Sequence, residues 1–377
     1  MKFIHTSDWQ IGKVFRFVDY ATMGLLQEAR LRAISRLGEL AGEHGADHVL
    51  VAGDVYDMEA LSPRSLNQPL ERMRAFPSVR WHLLPGNHDP HRPNGLWDQL
   101  LRKGLPENVS AHVVPEPVVL ENENFVLLPA PLLHRRTFDD LTAYMDDVDL
   151  PEGFIRVGLA HGTVRGFGSD DKDVPNFIAP DRPRLAGLSY LALGDWHGKR
   201  QINDRCWYSG TPEIDAFDVI DGGQALLVEI EGTNVVPGVT SIRTGHYTWV
   251  RLSEKIGSHA DIDHLAAKLR HTADDLDRVL VHLDIEGPLS LEDRHYFQEQ
   301  IVDGVSAALS FMRVDDRRLF AKPTVEDLDR IDRGGFVRTA AEELKRLADE
   351  AEGDGGIAAA ALERLFVEHM KLQADKR

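Results

Sequence analysis

Five short blocks of metal-capable side chains lie in the first 200 residues. They are Asp8-Trp9-Gln10, Gly53-Asp54-Val55-Tyr56-Asp57, Gly86-Asn87-His88-Asp89, His161-Gly162 and Gly194-Asp195-Trp196-His197. Carboxylates, imidazoles and a side-chain amide suit divalent ions of the Mn, Fe, Zn or Mg type. Asp8, Gln10, Asp54, Asn87, His88, His161, Asp195 and His197 are too many groups for one ion. Two ions about 4 Å apart can share a carboxylate, lower the pKa of water and clamp a phosphoryl group for in-line attack. Asp8 and Gln10 stand at i, i+2, as do Asp195 and His197, so each pair faces one side of an extended chain. Taken singly, each block reads as a turn or a helix cap. The signal is joint, because each block follows a run with the character of a buried strand.

Those runs define the elements that must position the blocks. Residues 2–8 read as a short apolar strand ending at Asp8, and 22–44 as an amphipathic helix with Leu26, Ala29, Ala33, Leu37, Leu40 and Ala41 near helical spacing. His48 to Ala52 is a continuous apolar run that stops at Gly53-Asp54, and Val79–Leu84, Ile155–Ala160 and Tyr190–Leu193 repeat the pattern. Loops at strand ends are where sheets commonly build their sites, because the strands aim them. Beyond residue 205 the texture changes. Cys206–Gly210, Ala225–Ile230 and His246–Leu252 read as strands, 262–276 as a helix, 279–285 as an alternating strand and 291–308 as another helix. A second, small α+β domain is expected at 245–322. Phe336, Ala340, Leu344 and Leu347 make one apolar stripe; Ile357, Ala361, Leu365 and Phe366 make another after Gly353-Asp354-Gly355-Gly356. The spacing predicts a helical hairpin over 323–377.

Composition bounds the classes. The 377 residues carry 43 Lys+Arg against 61 Asp+Glu, a formal charge of −18. That argues against charge-driven binding to DNA or anionic lipid over the whole surface, though not against a local basic groove. A single cysteine, Cys206, makes no internal disulfide and fits a reducing compartment. No run of about 18 apolar residues is present, and the first residues lack a signal-peptide core. A soluble, cytoplasmic protein with no membrane partner is expected.

The five blocks, in this order, resemble the calcineurin-like metallophosphoesterase superfamily. Asp8-Trp9-Gln10 matches its Asp-x-His block, Gly53 to Asp57 its Gly-Asp-x-x-Asp, Gly86 to Asp89 its Gly-Asn-His-Asp, His161-Gly162 its isolated histidine, and Gly194 to His197 its Gly-His-x-His. The resemblance spans about residues 1–215. His5 to Trp9 and Gly158 to Thr163 are most similar to the DNA-repair exonuclease branch, that of the SbcCD-type nuclease subunits. It implies an α/β fold, a four-layer αββα sandwich over 1–244, with an α+β cap at 245–322 that recognises DNA and a partner-binding helical tail at 323–377. It implies two divalent ions bridged by Asp54, with Asp8, Gln10 and His197 completing one site and Asn87, His161 and Asp195 the other. His88 is then the catalytic group that stabilises the phosphate or protonates the leaving oxygen, oriented by Asp57 or Asp89. An imidazole titrates near working pH, as a general acid requires.

Two positions depart from the family pattern. Gln10 and Asp195 replace histidines, exchanging two nitrogens for two oxygens and shifting preference toward Mn²⁺ or Mg²⁺ and away from Zn²⁺. Gln10 either completes the first site weakly or stays outside it. The function expected is Mn²⁺-dependent DNA exo- or endonuclease activity in repair, with an SMC-type ATPase as partner and a homodimer as the unit. The helix signals at 64–75 and 95–103 are candidate dimer surfaces. Arg135, Arg136, Lys199 and Arg200 are the DNA-contact candidates near the blocks, against an ordinary reading as exposed surface charges. A phosphodiesterase or phosphatase on small phosphate esters and a weakly catalytic subunit are the alternatives.

Overall fold

Continuous apolar runs, whose alternate residues face opposite layers, build two stacked sheets. In the computed structural model, residues 1–58, 60–149, 153–166, 174–233, 235–321 and 335–349 are described, with 357, 358, 360–362, 364–366 and 368. Strands β1 (Lys2–Thr6), β2 (His48–Val51), β3 (Arg80–Leu83) and β4 (Val109–Ala111) lie side by side and parallel. The second sheet holds β5 (Val118–Leu120), β6 (Phe125–Ala130) and β7 (Ile155–His161). Beside β7, β8 (Thr163–Val164) pairs with β9 (Phe177–Ile178). Then come β10 (Tyr190–Gly194), β11 (Arg200–Asn203) and β12 (Cys206–Tyr208), giving the spatial order β11-β12-β10-β7-β6-β5. Strands β6, β7, β10 and β12 are mutually parallel. The chain returns to the first sheet with β13 (Gln224–Glu229), antiparallel to β1, and β14 (Gly238–Arg243) on its edge.

Alternate residues of each strand serve alternate layers. Phe3, Leu50, Phe125, Leu127, Val157, Tyr190 and Leu226 fill the space between the sheets. Ile4, Val49, Val51, Trp81 and Leu83 face outward beneath helices α1 (Tyr20–His44), α2 (Pro63–Arg74) and α3 (Leu96–Lys103). Val126, Leu128, Ala160, Leu191 and Leu193 face the opposite side, where Met145, Leu188 and the neighbourhood of the short α4 (Arg182–Leu185) cover them. Helix α1 starts at Asp19, whose carboxylate accepts from the Ala21 and Thr22 amides, and stops at Gly45 in the left-handed conformation. The layers are those of the αββα sandwich expected from the sequence.

The chain divides into two compact units, Met1–Thr248 and Trp249–Arg377; the sequence reading places its first boundary at 244. The second unit has its own three-stranded sheet, with β15 (Thr248–Lys255), β16 (Val279–Leu289) and β17 (Phe311–Ala321) in that order. Helices α5 (His259–Arg270) and α6 (Leu291–Phe297) cover it through Ile262, Leu265, Leu269 and Phe297. Three expectations change here. The helix read over 262–276 ends at Arg270, and Leu276 belongs to a separate 3-10 turn. The helix read over 291–308 breaks after Phe297 into a π turn and a 3-10 turn. Strand β17 has no counterpart in the sequence reading, because its charges, Arg313, Asp315, Asp316, Arg317 and Arg318, mask the alternation.

Helix α7 (Phe336–Asp349) carries the first expected tail stripe. Its buried position is Ala341, whereas Phe336 and Leu347 are exposed. The boundary at 322–323 and the break at Gly353–Gly356 lie outside the described residues. Among those residues, no helix is long and apolar enough to cross a membrane.

Candidate metal centre

The blocks all leave the C-terminal ends of parallel strands, which brings them to one edge of the sandwich. Asp8 and Gln10 follow β1, Asp54 follows β2, Asn87 and His88 follow β3, His161 ends β7, and Asp195 and His197 follow β10. The β1–β2 ladder runs on past both strands: the amides of Asp8, Gln10 and Ile11 donate to the carbonyls of Gly53, Asp54 and Val55 at 3.1, 2.9 and 2.9 Å. Asp8, Gln10, Asp54 and Asp195 all have positive φ, at 54°, 43°, 53° and 105°. Each such non-glycine residue costs roughly 1–3 kcal/mol, and half of the eight among the described residues stand at this edge. Two glycines make the approach possible. A Cβ on Gly53 would enter the His161 imidazole, and one on Gly86 would enter the Asp54 carboxylate.

On one side of the centre, two buried side-chain atoms have no hydrogen-bond partner among the described residues. His161 is buried, and its Nδ1–H donates to the Ala52 carbonyl at 2.8 Å. That fixes the tautomer and leaves Nε2 bare, 3.6 Å from Asp54 Oδ1 and 3.8 Å from Asp195 Oδ1. Asn87 Nδ2 donates to Asp195 Oδ1 at 3.3 Å. A carboxylate only accepts, so the amide is oriented, and its Oδ1 is the atom left over. Neither His161 Nε2 nor Asn87 Oδ1 has a hydrogen-bond partner among the described residues, though both are buried. Thr163 holds the other Asp195 oxygen at 2.7 Å. Asp8, Asp54 and His161 offer ligand atoms all within 4.8 Å of one another. Bare buried acceptors are costly unless something electropositive meets them, and this donor set suits a divalent ion. Burial opposes protonation of His161, but the carboxylates of Asp54, Asp8 and Asp195 outweigh it and hold the imidazole up at about 9, so an ion at Nε2 would take the place of a proton there.

The other side is more crowded. His197 Nδ1–H donates to Asp215 Oδ1 at 3.0 Å, and its Nε2 lies 3.9 Å from Asp8 Oδ1. Gln10 Nε2 sits 3.3 Å from that same His197 Nε2, and Lys13 Nζ donates to Gln10 Oε1 at 2.9 Å. Lys13 also pairs with Asp215. Burial pushes the Asp215 carboxyl up, but His197, Arg30 and Lys13 outweigh it and hold it below the usual range. Burial likewise opposes charge on His197, and the bond to Asp215 reverses that. Buried Asp8 accepts from Ser7 Oγ at 2.6 Å and from the Asp195 amide.

Sequence reasoning missed three of these residues. Asp215, past β12, follows no ligand motif. Lys13, three residues past Gln10, follows none either. Arg30 was visible in principle, because it stands in phase with Leu26, Ala33 and Leu37 on the apolar face of α1. Its guanidinium is buried and donates to the carbonyls of Trp9, Asp8 and Glu213 at 2.7, 3.0 and 3.1 Å, clamping the Asp8 loop.

His88 flanks the centre without entering the set of bare acceptors. Its Nδ1 is 3.0 Å from the Asp57 main-chain oxygen, so Nε2 turns toward Asp54 Oδ2 at 4.0 Å. Of the two aspartates expected to orient it, Asp57 acts through its carbonyl. Asp89 does something else: it accepts from the Gly86 and Tyr56 amides at 2.7 and 3.0 Å and braces the loop from below. Arg135 and Arg136 are exposed, on a segment tied down where Asn176 Nδ2 donates to the Arg135 carbonyl. Lys199 is half-buried, and the exposed Arg200 lies over the Trp196 ring at 5.7 Å.

Among solved structures, that of TT1561 from Thermus thermophilus is similar over 64% of this chain and 98% of its own, at 12% sequence identity and a TM-score of 0.41. The family model described as calcineurin-like phosphoesterase matches residues 1–168, a span that holds Asp8, Gln10, Asp54, Asn87, His88 and His161. Asp195 and His197 lie past its end and join the same centre through β10. That family implies metal-dependent phosphoester hydrolysis, and residues 1–168 of this chain match its model.

Proposed function

We propose that this chain is a manganese-dependent phosphodiester hydrolase that cuts DNA in repair, held on its substrate by an SMC-type ATPase and working as a homodimer. The observation that carries the hydrolase reading is the pair of bare acceptors, Asn87 Oδ1 and His161 Nε2, buried beside Asp54 and Asp195. Asp54, Asn87, His161 and Asp195 would hold an ion there, with Asp8, Gln10 and His197 around a second position. The metal supplies positive charge against the phosphoryl oxygens and lowers the pKa of water. Mostly oxygen ligands favour Mn²⁺ or Mg²⁺ over Zn²⁺. The rest falls to side chains. Asp57 keeps the His88 ring turned so that Nε2 presents a proton to the leaving oxygen, and the buried floor of Trp9, Tyr56 and Trp97 excludes bulk water from beneath the loops.

DNA as the substrate is supported by what rims the centre. Trp196 stands between Asp195 and His197 with 49% of its surface exposed. A half-exposed indole beside Arg200 offers a base a face to stack on. Arg135, Arg136 and Lys199 supply further cationic contacts for phosphates. The test is cleavage of end-labelled linear and hairpin DNA with Mn²⁺, run beside His88→Ala. The wild type is expected to cut. The variant is expected to keep its metal and lose roughly 10²–10⁴-fold in rate, as removal of a general acid does. Hydrolysis of a small phosphodiester with intact DNA, in the presence of the ATPase, would move the assignment to small phosphate esters.

A further inference from the structure

The two halves of the centre differ in one respect. On the Asn87–His161 side, two lone pairs are bare. On the His197 side, the corresponding acceptors are already taken. The assignment there follows from donor and acceptor chemistry. Lysine has donors only, so the Gln10 atom 2.9 Å from Lys13 Nζ is the oxygen. The Gln10 amide nitrogen therefore faces His197 Nε2 at 3.3 Å and donates to it. The imidazole nitrogen accepts there in the neutral ring, whose one proton is on Nδ1 and goes to Asp215. The chain Lys13, Gln10, His197, Asp215 and back to Lys13 is closed and internally satisfied.

An ion entering beside Asp8 and His197 must displace a Gln10 N–H from the imidazole lone pair. It cannot use the Gln10 oxygen unless Lys13 releases it. It also meets the positive charge of a lysine that is three-quarters buried. We propose that this chain holds one divalent ion tightly, among Asp54, Asn87, His161 and Asp195, and that Gln10 and Lys13 keep the neighbouring position closed to a second ion until the lysine lets go. The inference rests on the metal reading above and deepens it. Lys13 is then the positioning residue that sets metal occupancy, and a phosphate that draws its ammonium away opens the second position.

The experiment counts ions. Metal-stripped full-length chain is titrated with Mn²⁺, and free ion is followed by electron paramagnetic resonance. The wild type is expected to take up one ion per chain, with a second at least about tenfold weaker, the order of effect of one lost ligand contact. Lys13→Met frees the Gln10 oxygen and is expected to tighten the second ion by about that factor, leaving the first unchanged. Gln10→His, which cannot be held by the lysine as an acceptor in the same way, should do so too and serves if Lys13→Met fails to fold by thermal denaturation. His161→Gln should lose the tight ion. Two ions of equal affinity in the wild type, or a second ion unaffected by both Lys13→Met and Gln10→His, would overturn the proposal while leaving the metal reading intact. No Mn²⁺ bound by the wild type would end both.

Discussion

Asp8, Gln10 and Asp54 are held at positive φ by a ladder of main-chain bonds that outlasts its strands. Their side chains are thus aimed before any ligand arrives, and the backbone strain is offset by the sandwich beneath. Gly53 shows how little room is left. It has φ 87°, and a Cβ there would drive into the His161 ring. Gly53→Ala is therefore expected to destabilise the protein by more than about 1 kcal/mol, since an incompatible φ alone exceeds the usual alanine gain. It should also weaken Mn²⁺ uptake, because His161 Nδ1 must leave Ala52. Urea midpoints with and without metal would check this, and an unchanged midpoint in both would show that the loop relaxes freely. At this scale the sequence was readable where residue types repeat a spacing, as in the five blocks. It was not readable for Asp215 and Lys13, whose bond to each other spans 202 residues of chain. Arg30 is the intermediate case: a charge in phase with an apolar stripe announces a buried partner without saying which.

The strands that carry the site were legible because both faces are buried and their apolar runs are continuous. The edge strand β14 and the charged β17 were not, because one polar face removes the run. The same sheets contain a polar feature that no periodicity announced. His48 on β2, His82 on β3 and His112 after β4 stack between the layers, with His48 Nδ1 to His82 Nε2 and His82 Nδ1 to His112 Nε2 both 2.9 Å. The far end is Glu123, 2.7 Å from His48 Nε2. A carboxylate accepts, so each ring donates from Nε2 and accepts at Nδ1, and all three are neutral. Burial lowers the pKa of all three, with His112 at about 4. An unfolded histidine titrates near 6.5. Because the folded values are depressed, the stabilisation is complete above pH 6.5 and is lost as pH falls below it, ending for His112 near pH 4. His112 alone accounts for about 2 kcal/mol between roughly pH 7.5 and 5. His112→Gln, which still donates to His82, should flatten the fall of the urea midpoint over that range by close to one proton. A variant curve parallel to the wild type would mean that the ladder is already charged or already hydrated in the native state.

At the scale of the whole molecule, net charge and proposed substrate pull against each other. A formal charge of −18 repels a polyanion beyond contact range. Local cations must then hold DNA alone, or a partner must bring it. Arg135, Arg136, Lys199 and Arg200 are the local candidates, and nothing in their spacing told them from ordinary surface charges. Counterion release gives them a measurable signature. Each phosphate neutralised contributes roughly 0.9 to the slope of log affinity against log salt, so four contacts give about −3.6 at most. The isolated chain should therefore cut DNA with a slope between zero and about −3.6, measured in Mn²⁺ at saturating metal so that metal loss does not mimic DNA loss. Charge reversal at Arg135 and Arg136 together should bring that slope about two contacts nearer zero. A steeper slope than four contacts allow would mean that further cations, beyond these four, meet the phosphates. A wild-type slope of zero with cleavage intact would remove the four residues from the DNA interface and leave stacking on Trp196 as the contact that holds the strand, because stacking alone releases no counterions.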